Sequence, residues 1–305
     1  MGIYILVRLG VALSVLAAVS VITFALLRLA GDPAIALAGP DAAPEEVQAI
    51  REAYGFDRPL IVQYGEWLGR VASGDLGWSN SLRRPVAEVI AERAPVTIRL
   101  ATFGVLFALA VGVPLGILAA SRPNTWVDRM ALSIAVVGQA LPNFFFALIL
   151  IIIFGVLLRW FPVSGDASWK HYVLPSIALG YYATPAIMRL TRAGMFDVLA
   201  SDYIRTARAK GLSRSAILFK HALRNAVIPV VSLTAVQLGL MLSGSIIVES
   251  VFSMNGLGRL GWQSIQRADI EMMQALVLTV SVAYLVLTFL ADVLNALLDP
   301  RLRIR

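Results

Sequence analysis

Six apolar runs, each approaching the roughly 20 residues that a bilayer core demands of a helix, constrain this chain more than any other feature. They cover residues 4–27, 100–119, 130–157, 172–190, 226–248 and 275–297. Inside lipid a backbone must satisfy its own hydrogen bonds, and runs of this length do so as helices. With 58% hydrophobic and 15% charged residues, the 305-residue chain is too apolar for a soluble globular domain. It reads as an all-α polytopic membrane protein with six transmembrane helices. The first run, with Arg8 near its start, could pass for a signal peptide. No small-residue cleavage pattern follows it and it is long enough to span, so 4–27 is kept as the first span.

Charge then orients the spans. Short loops on one side carry Arg122, Arg129 and the group Arg192, Arg205, Arg208, Lys210, Arg214, Lys220 and Arg224, joined by Arg8 and the terminal Arg301, Arg303 and Arg305. Those opposite carry Arg159, Lys170, Arg259 and Arg267. The positive-inside rule therefore puts both termini in the cytoplasm. This distribution accounts for the formal net charge of +7 better than nucleic acid does. No cysteine is present, so disulfides and thiolate metal sites are excluded.

The most distinctive loop is 197–224. Ser201 stands as the N-cap of a short helix over 201–211, with Asp202 in its first turn, Lys210 in its last and Gly211 closing it. Tyr203, Ile204 and Ala207 share one face, and Arg205 and Arg208 another. Ser213 can cap a second helix whose apolar side is Ala216, Ile217, Phe219 and Leu223. Two readings stand side by side: a solvated basic loop, or a helix laid into a partner's groove, with Ala207, Ala209 and Gly211 allowing close approach.

The run Asp202-Tyr203-Ile204-Arg205-Thr206-Ala207-Arg208-Ala209-Lys210-Gly211, followed by Lys220-His221-Ala222-Leu223-Arg224-Asn225-Ala226 and Pro229, resembles the cytoplasmic loop of ABC-importer permeases. It is most similar to the subfamily that imports dipeptides, oligopeptides, nickel and glutathione. The general motif begins Glu-Ala-Ala, where this chain has Arg205-Thr206-Ala207. The outer segment resembles the same subfamily at Gly31-Asp32-Pro33, Asp57-Arg58-Pro59-Leu60, Gln63-Tyr64 and Gly74-Asp75-Leu76-Gly77 with Ser79. So do the Gly-rich loop from Val248 to Leu260, with Asn255 where Pro is frequent, and Leu298-Asp299-Pro300-Arg301.

The resemblance implies a single permease domain over 1–305 with the type I ABC importer permease fold. Its parts are the span 4–27, an extracytoplasmic helical segment 30–98, and a five-span core 99–297 with a cytoplasmic coupling loop 193–225. It implies a location in the bacterial inner membrane, surrounded by lipid. The implied partners are a homologous second permease, two ATP-binding subunits and an extracytoplasmic substrate-binding protein. Asp202, Tyr203, Arg205, Thr206, Ala207, Arg208, Lys210 and Gly211 are the residues implied to couple to the ATPase.

Within 30–98, Pro44 starts a helix with Glu45 and Glu46 in its first turn and Gly55 at its end, carrying Val47, Ile50 and Tyr54 on one side. A second helix carries Tyr64, Trp67, Leu68 and Val71. In the spans, Gly112-Val113-Pro114-Leu115-Gly116 has the spacing that lets helices approach closely. Polar residues inside apolar runs are costly unless they face protein or water. Gln139, Asn143, Gln237 and Ser243 are thus candidates to line a translocation path, with interhelical hydrogen bonding as the alternative. Asp292 is expected to pair with a base at the inner interface, and Glu249 to sit peripherally near the outer end of the fifth span.

No Gly-x-x-x-x-Gly-Lys-Ser/Thr occurs, so ATP is not hydrolysed here by that route. His171 and His221 fall on opposite sides of the membrane and cannot share a metal. No cofactor is expected, and catalysis in this chain is improbable. The competing functional class is a self-contained secondary transporter or channel, which would carry ion-coupling carboxylates in the membrane. A scaffold using its basic loop on anionic lipid is a further one.

Overall fold

The computed structural model describes residues 2–29, 31–39 and 42–298. The expected match at Asp299-Pro300-Arg301, and the bases Arg301, Arg303 and Arg305, lie outside these. The described chain is helical apart from one two-residue strand pair. It opens with α1 (Gly2–Leu29), an apolar helix whose C-terminal end leads into a cap. The cap holds α2 (Pro33–Ala38), α3 (Pro44–Ala53), α4 (Leu60–Ala72), and a hairpin in which β1 (Trp78–Ser79) pairs antiparallel with β2 (Arg84–Pro85). Then follow α5 (Val86–Ser121), α6 (Trp126–Ala140) and α7 (Asn143–Leu150), which continues as a π-helical run over Ile151–Leu157. Next come α8 (Trp169–Gly180), α9 (Thr184–Leu199), α10 (Asp202–Ala209), a second π-helical run Ala216–Ala222 and α11 (Leu223–Ala226). The chain finishes with α12 (Ile228–Gly244), α13 (Ile246–Val251), α14 (Leu257–Gln266) and α15 (Ile270–Leu298).

Three of the six expected runs lie on single long helices. Ile5–Ala25, Val86–Ser121 and Ile270–Leu294 are each long and apolar enough to cross a membrane, and a pair bent by 58°, Ala216–Ala226 with Ile228–Ser243, could act as one more. The expected runs 130–157 and 172–190 are each broken midway. The first break has a local cause. Proline forces the residue before it out of the helical region, and Leu141 before Pro142 is extended at φ −82°, ψ 129°. The carbonyl this frees accepts the Tyr181 hydroxyl, which lies at the second break, between α8 and α9. The two interruptions therefore satisfy each other. Residues 86–98 of the expected segment 30–98 are the first turns of α5, which runs on to Ser121.

The core is built where α5 meets α8 and α9. Leu100, Leu174, Ile187, Phe252 and Met254 are buried together at its centre. A Cβ on Gly112 would stand 2.9 Å from Ile187 Cγ2, and one on Gly116 would stand 2.7 Å from the Met188 carbonyl. The glycine spacing in α5 is thus the seam on which α9 lies, and any side chain there would push the helices apart.

The cap is seated on α1 and α15. Trp67 packs with Phe24 of α1 and Leu278 of α15, and Arg28 lies over the rings of Phe24 and Phe56 at 5.0 and 4.7 Å. Asp32 caps α2 by accepting from Ala34 N at 2.9 Å and pairs with Arg51. Those contacts hold the Asp32 carboxyl below the usual carboxylate range, the Arg51 hydrogen bond most of all. Tyr54 and Leu68, expected on apolar helix faces, are exposed instead, because α3 buries none of its residues and α4 buries only Gln63 and Trp67.

Candidate functional site

The basic loop is a built platform and not a free connection. α10 lies over the ends of α5 and α9, where Ile204 and Ala207 are buried with Ile117, Ala120, Met195 and Ile217. Its outer face presents Asp202, Arg205, Thr206 and Arg208, and Lys210 and Gly211 are exposed in the turn beyond. Asp202 and Arg205 approach to 3.1 Å, but both are open to water, so their attraction is weak. Tyr203 is partly exposed and fixed at its tip: Asn225 donates to its hydroxyl at 2.8 Å, which itself donates to the His221 carbonyl at 3.4 Å.

Three details differ from expectation. Ser201 does not cap α10 through its side chain; its hydroxyl donates back to the Val198 carbonyl at 2.6 Å. Ala207 faces inward, so it is a packing residue and leaves no gap for a partner. Phe219 is 59% exposed and lies off the buried side of the second helix, which is formed by Ile217 and Ala222. The π-helical winding of Ala216–Ala222 shifts the residues off the 3.6-residue period on which that face was read. The end of α10 is as the sequence requires. Gly211 takes φ +75°, its N–H bonds the Arg208 carbonyl, and Leu212 N reaches back to the Ala207 carbonyl at 3.3 Å. Ser213 accepts from Ala216 N at 3.3 Å, as expected for a cap.

Behind the platform a buried ion pair braces the bundle. Arg192 of α9 donates to Asp128 of α6 through Nε at 2.6 Å and Nη2 at 2.7 Å, and Asn124 N adds a third bond at 3.0 Å. The Asp128 side chain is 3% exposed. The Arg192 hydrogen bonds hold its carboxyl well below the usual range, against the opposing effect of burial. These residues are 64 positions apart, and no local pattern announces the pair. Arg8 and Asp292 meet at 3.3 Å, tying α1 to α15 as expected for Asp292.

The four polar candidates sit in different surroundings. Gln139 is exposed and accepts from Arg189 Nη1 at 3.1 Å, in the first half of α9. Asn143 opens α7, half-buried, with its Oδ1 enclosed and without a hydrogen-bond partner. Gln237 is half-buried on α12. Ser243 lies apart from Gln139, in a groove with Val15, Val19, Ser281 and Tyr284 from α1 and α15. An exposed arginine on an apolar stretch of helix is costly against lipid, so the Gln139–Arg189 face belongs against protein or water.

Glu249 overturns its expected peripheral position, since it is fully buried. Its carboxylate accepts from Thr97 Oγ1 at 2.7 Å, Ser245 Oγ at 2.8 Å and Arg259 N at 2.8 Å, while Leu257 N donates to Thr97 Oγ1 at 2.8 Å. The loop after α13 folds back so that the carboxylate sits over the start of α14, where free N–H groups favour an anion. A Cβ on Gly256 would collide with that carboxylate, and one on Gly258 would stand 2.8 Å from the Ile246 backbone. The Gly-Leu-Gly motif therefore serves internal packing around Glu249.

Comparison with known proteins places this geometry in context. Residues 112–304 match the family model of the binding-protein-dependent transport system inner membrane component, and residues 1–101 match its N-terminal counterpart. The glutathione transport system permease protein GsiC of Escherichia coli K12 is 41% identical over 98% of both chains. That of Salmonella paratyphi A is 42% identical over the same shares. Among solved structures, an inward-facing conformation of the MetNI methionine ABC transporter matches with TM-score 0.59 and 20% identity, covering 69% of this chain and 96% of that one.

Proposed function

Because the chain belongs to the family of binding-protein-dependent transport system inner membrane components, we propose that its platform at 201–211 receives a separate ATPase subunit whose motion drives transport. The chain is a permease subunit of an ABC importer, multi-pass in the inner membrane. We infer a complex with a homologous second permease, two ATPases and an extracytoplasmic binding protein, with both termini in the cytoplasm. The solute class is a small peptide such as glutathione, which the names of the relatives suggest.

The observation that carries the reading is how α10 is seated. Ile204 and Ala207 are locked against α5 and α9, while the opposite face is charged and unfilled. A push on that face moves two long helices together, because a packed contact transmits displacement instead of absorbing it. Each nucleotide state of the ATPase then favours one of two helix packings. Between the paired permeases the solute would pass the Gln139–Arg189 face, with Asn143, Gln237 and Ser243 as further polar positions near the path. The described carboxylates give a self-contained secondary transporter little to use, since Asp292 is paired with Arg8 and Glu249 is held by three donors.

The test is detergent co-purification of the ATPases with the tagged chain, comparing wild type with Arg205→Glu combined with Arg208→Glu. Both sites are exposed, so folding is preserved. Loss of bound ATPase and of binding-protein-stimulated hydrolysis is the expected result. Retention of both would rule out this surface as the motor contact.

A further inference from the structure

A cavity of about 760 Å³ lies between the cap and the start of α15. That is within the range of small-molecule sites, roughly 300–1,000 Å³. Its wall combines Arg28, Gln63, Trp67, Arg70, Asp269 and Glu271. Arg70 and Asn80, both lining it, are exposed, so it is open to solvent.

Two features of the wall point to a ligand. Arg28 and Arg70 both line it, and the Arg28 Nε is buried with no hydrogen-bond partner. Asp32, the acid beside Arg28, is committed to Arg51 and Ala34 N. The second feature is Gln63, 7% exposed, whose amide nitrogen donates to the Phe56 and Arg58 carbonyls at 3.1 and 2.7 Å. That orientation leaves its Oε1 enclosed and without a donor. A buried acceptor without a donor and a buried donor without an acceptor both cost free energy that a complementary ligand recovers. On the facing wall, Glu271 uses Oε2 to accept from Trp78 N.

We propose that this cavity is an outer binding site for a small zwitterionic solute of peptide type, its carboxylate held by Arg28 and Arg70 and its amino group by Gln63 Oε1 and Glu271. The site would hold solute on the outer side of the permease before passage. This deepens the importer reading above and rests on it for the identity of the solute as cargo.

The chain has no cysteine, so Asn80→Cys in the full transporter reports occupancy through its rate of maleimide labelling. The transporter is placed in phosphatidylcholine nanodiscs without the binding protein, and glutathione is the probe, backed by a panel of di- and tripeptides. Peptide slows labelling in the otherwise wild-type chain. Arg70→Gln weakens the protection about tenfold, as loss of one charge-assisted contact requires, and the peptide dimethyl ester gives none. Arg28→Gln is the second variant, with the same expectation, should Arg70→Gln not assemble. Protection unchanged in the variant, equal protection by the ester, or none from any peptide would overturn the proposal. So would protection appearing without peptide in phosphatidylglycerol nanodiscs, which would assign the cavity to a lipid headgroup. Failure of the importer reading is seen separately, as absence of co-purified ATPase.

Discussion

Asp128 is the residue on which the inner end of the bundle most depends. Asp128→Asn leaves Arg192 facing a neutral amide in a site where the carboxylate was 3% exposed. Breaking a fully buried pair costs about 3–5 kcal/mol. Arg192 keeps some contact with water, so a loss nearer about 2 kcal/mol is expected. The pH dependence has a definite sign. Asp128 titrates below its unfolded value, so its contribution is whole above the ordinary aspartate pKa of about 3.9. It is lost as pH falls through the lower, folded value. Thermal unfolding in detergent should separate wild type from Asp128→Asn at neutral pH and converge toward pH 3; a gap independent of pH would contradict the assignment. Glu249 carries the complementary lesson. Its place near the end of the fifth apolar run suggested the periphery, whereas Thr97, Ser245, the Arg259 N–H and two glycines enclose it.

At the scale of elements, the paired breaks in the spans are the feature with mechanical consequences. Tyr181 closes the Leu141 carbonyl and lies tilted against Phe146 with ring centroids 4.1 Å apart. Tyr181→Phe keeps the ring and removes the hydroxyl, leaving a partly buried carbonyl unmet at a cost of about 1 kcal/mol. A lowered melting temperature in the purified complex, with faster amide exchange at 141–147, is the expected outcome. Unchanged exchange there would mean that the break is held by Pro142 alone. That a proline breaks a span follows from its ring; which group, 40 residues away, closes the break does not. α10 divides the same way. Its charged face and Gly211 turn could be read from spacing, but which small residue was surface and which was packing could not, and Ala207 proved to be packing.

For the molecule as a whole, the cap is joined to the bundle by apolar and polar contacts. Trp67 is set against Phe24 and Leu278, and Leu76 and Leu82 pack against the cluster of Val86, Leu257, Leu260 and Met272. The polar ones are Asp269, which accepts from Ser79 Oγ at 2.6 Å and Ser81 Oγ at 2.7 Å, and Glu271, which accepts from Trp78 N. Trp67→Ala should cost about 3–5 kcal/mol and free residues 31–85 to proteolysis before the bundle melts. Simultaneous loss of cap and bundle would instead make them one cooperative unit.

The sequence by itself determined the class of the molecule, the apolar runs, the breakers within them, the helix seam at Gly112 and Gly116 and the charged platform at 201–211. Each follows from local chemistry: the hydrogen-bond demand of lipid, the ring of proline, the missing Cβ of glycine. Tertiary structure alone decided which polar groups meet. Asp128 with Arg192, Glu249 with Thr97, Gln139 with Arg189 and Tyr181 with Leu141 all join distant parts of the chain. A buried charge or carbonyl needs a partner, but its own neighbours in sequence do not say where the fold will supply one.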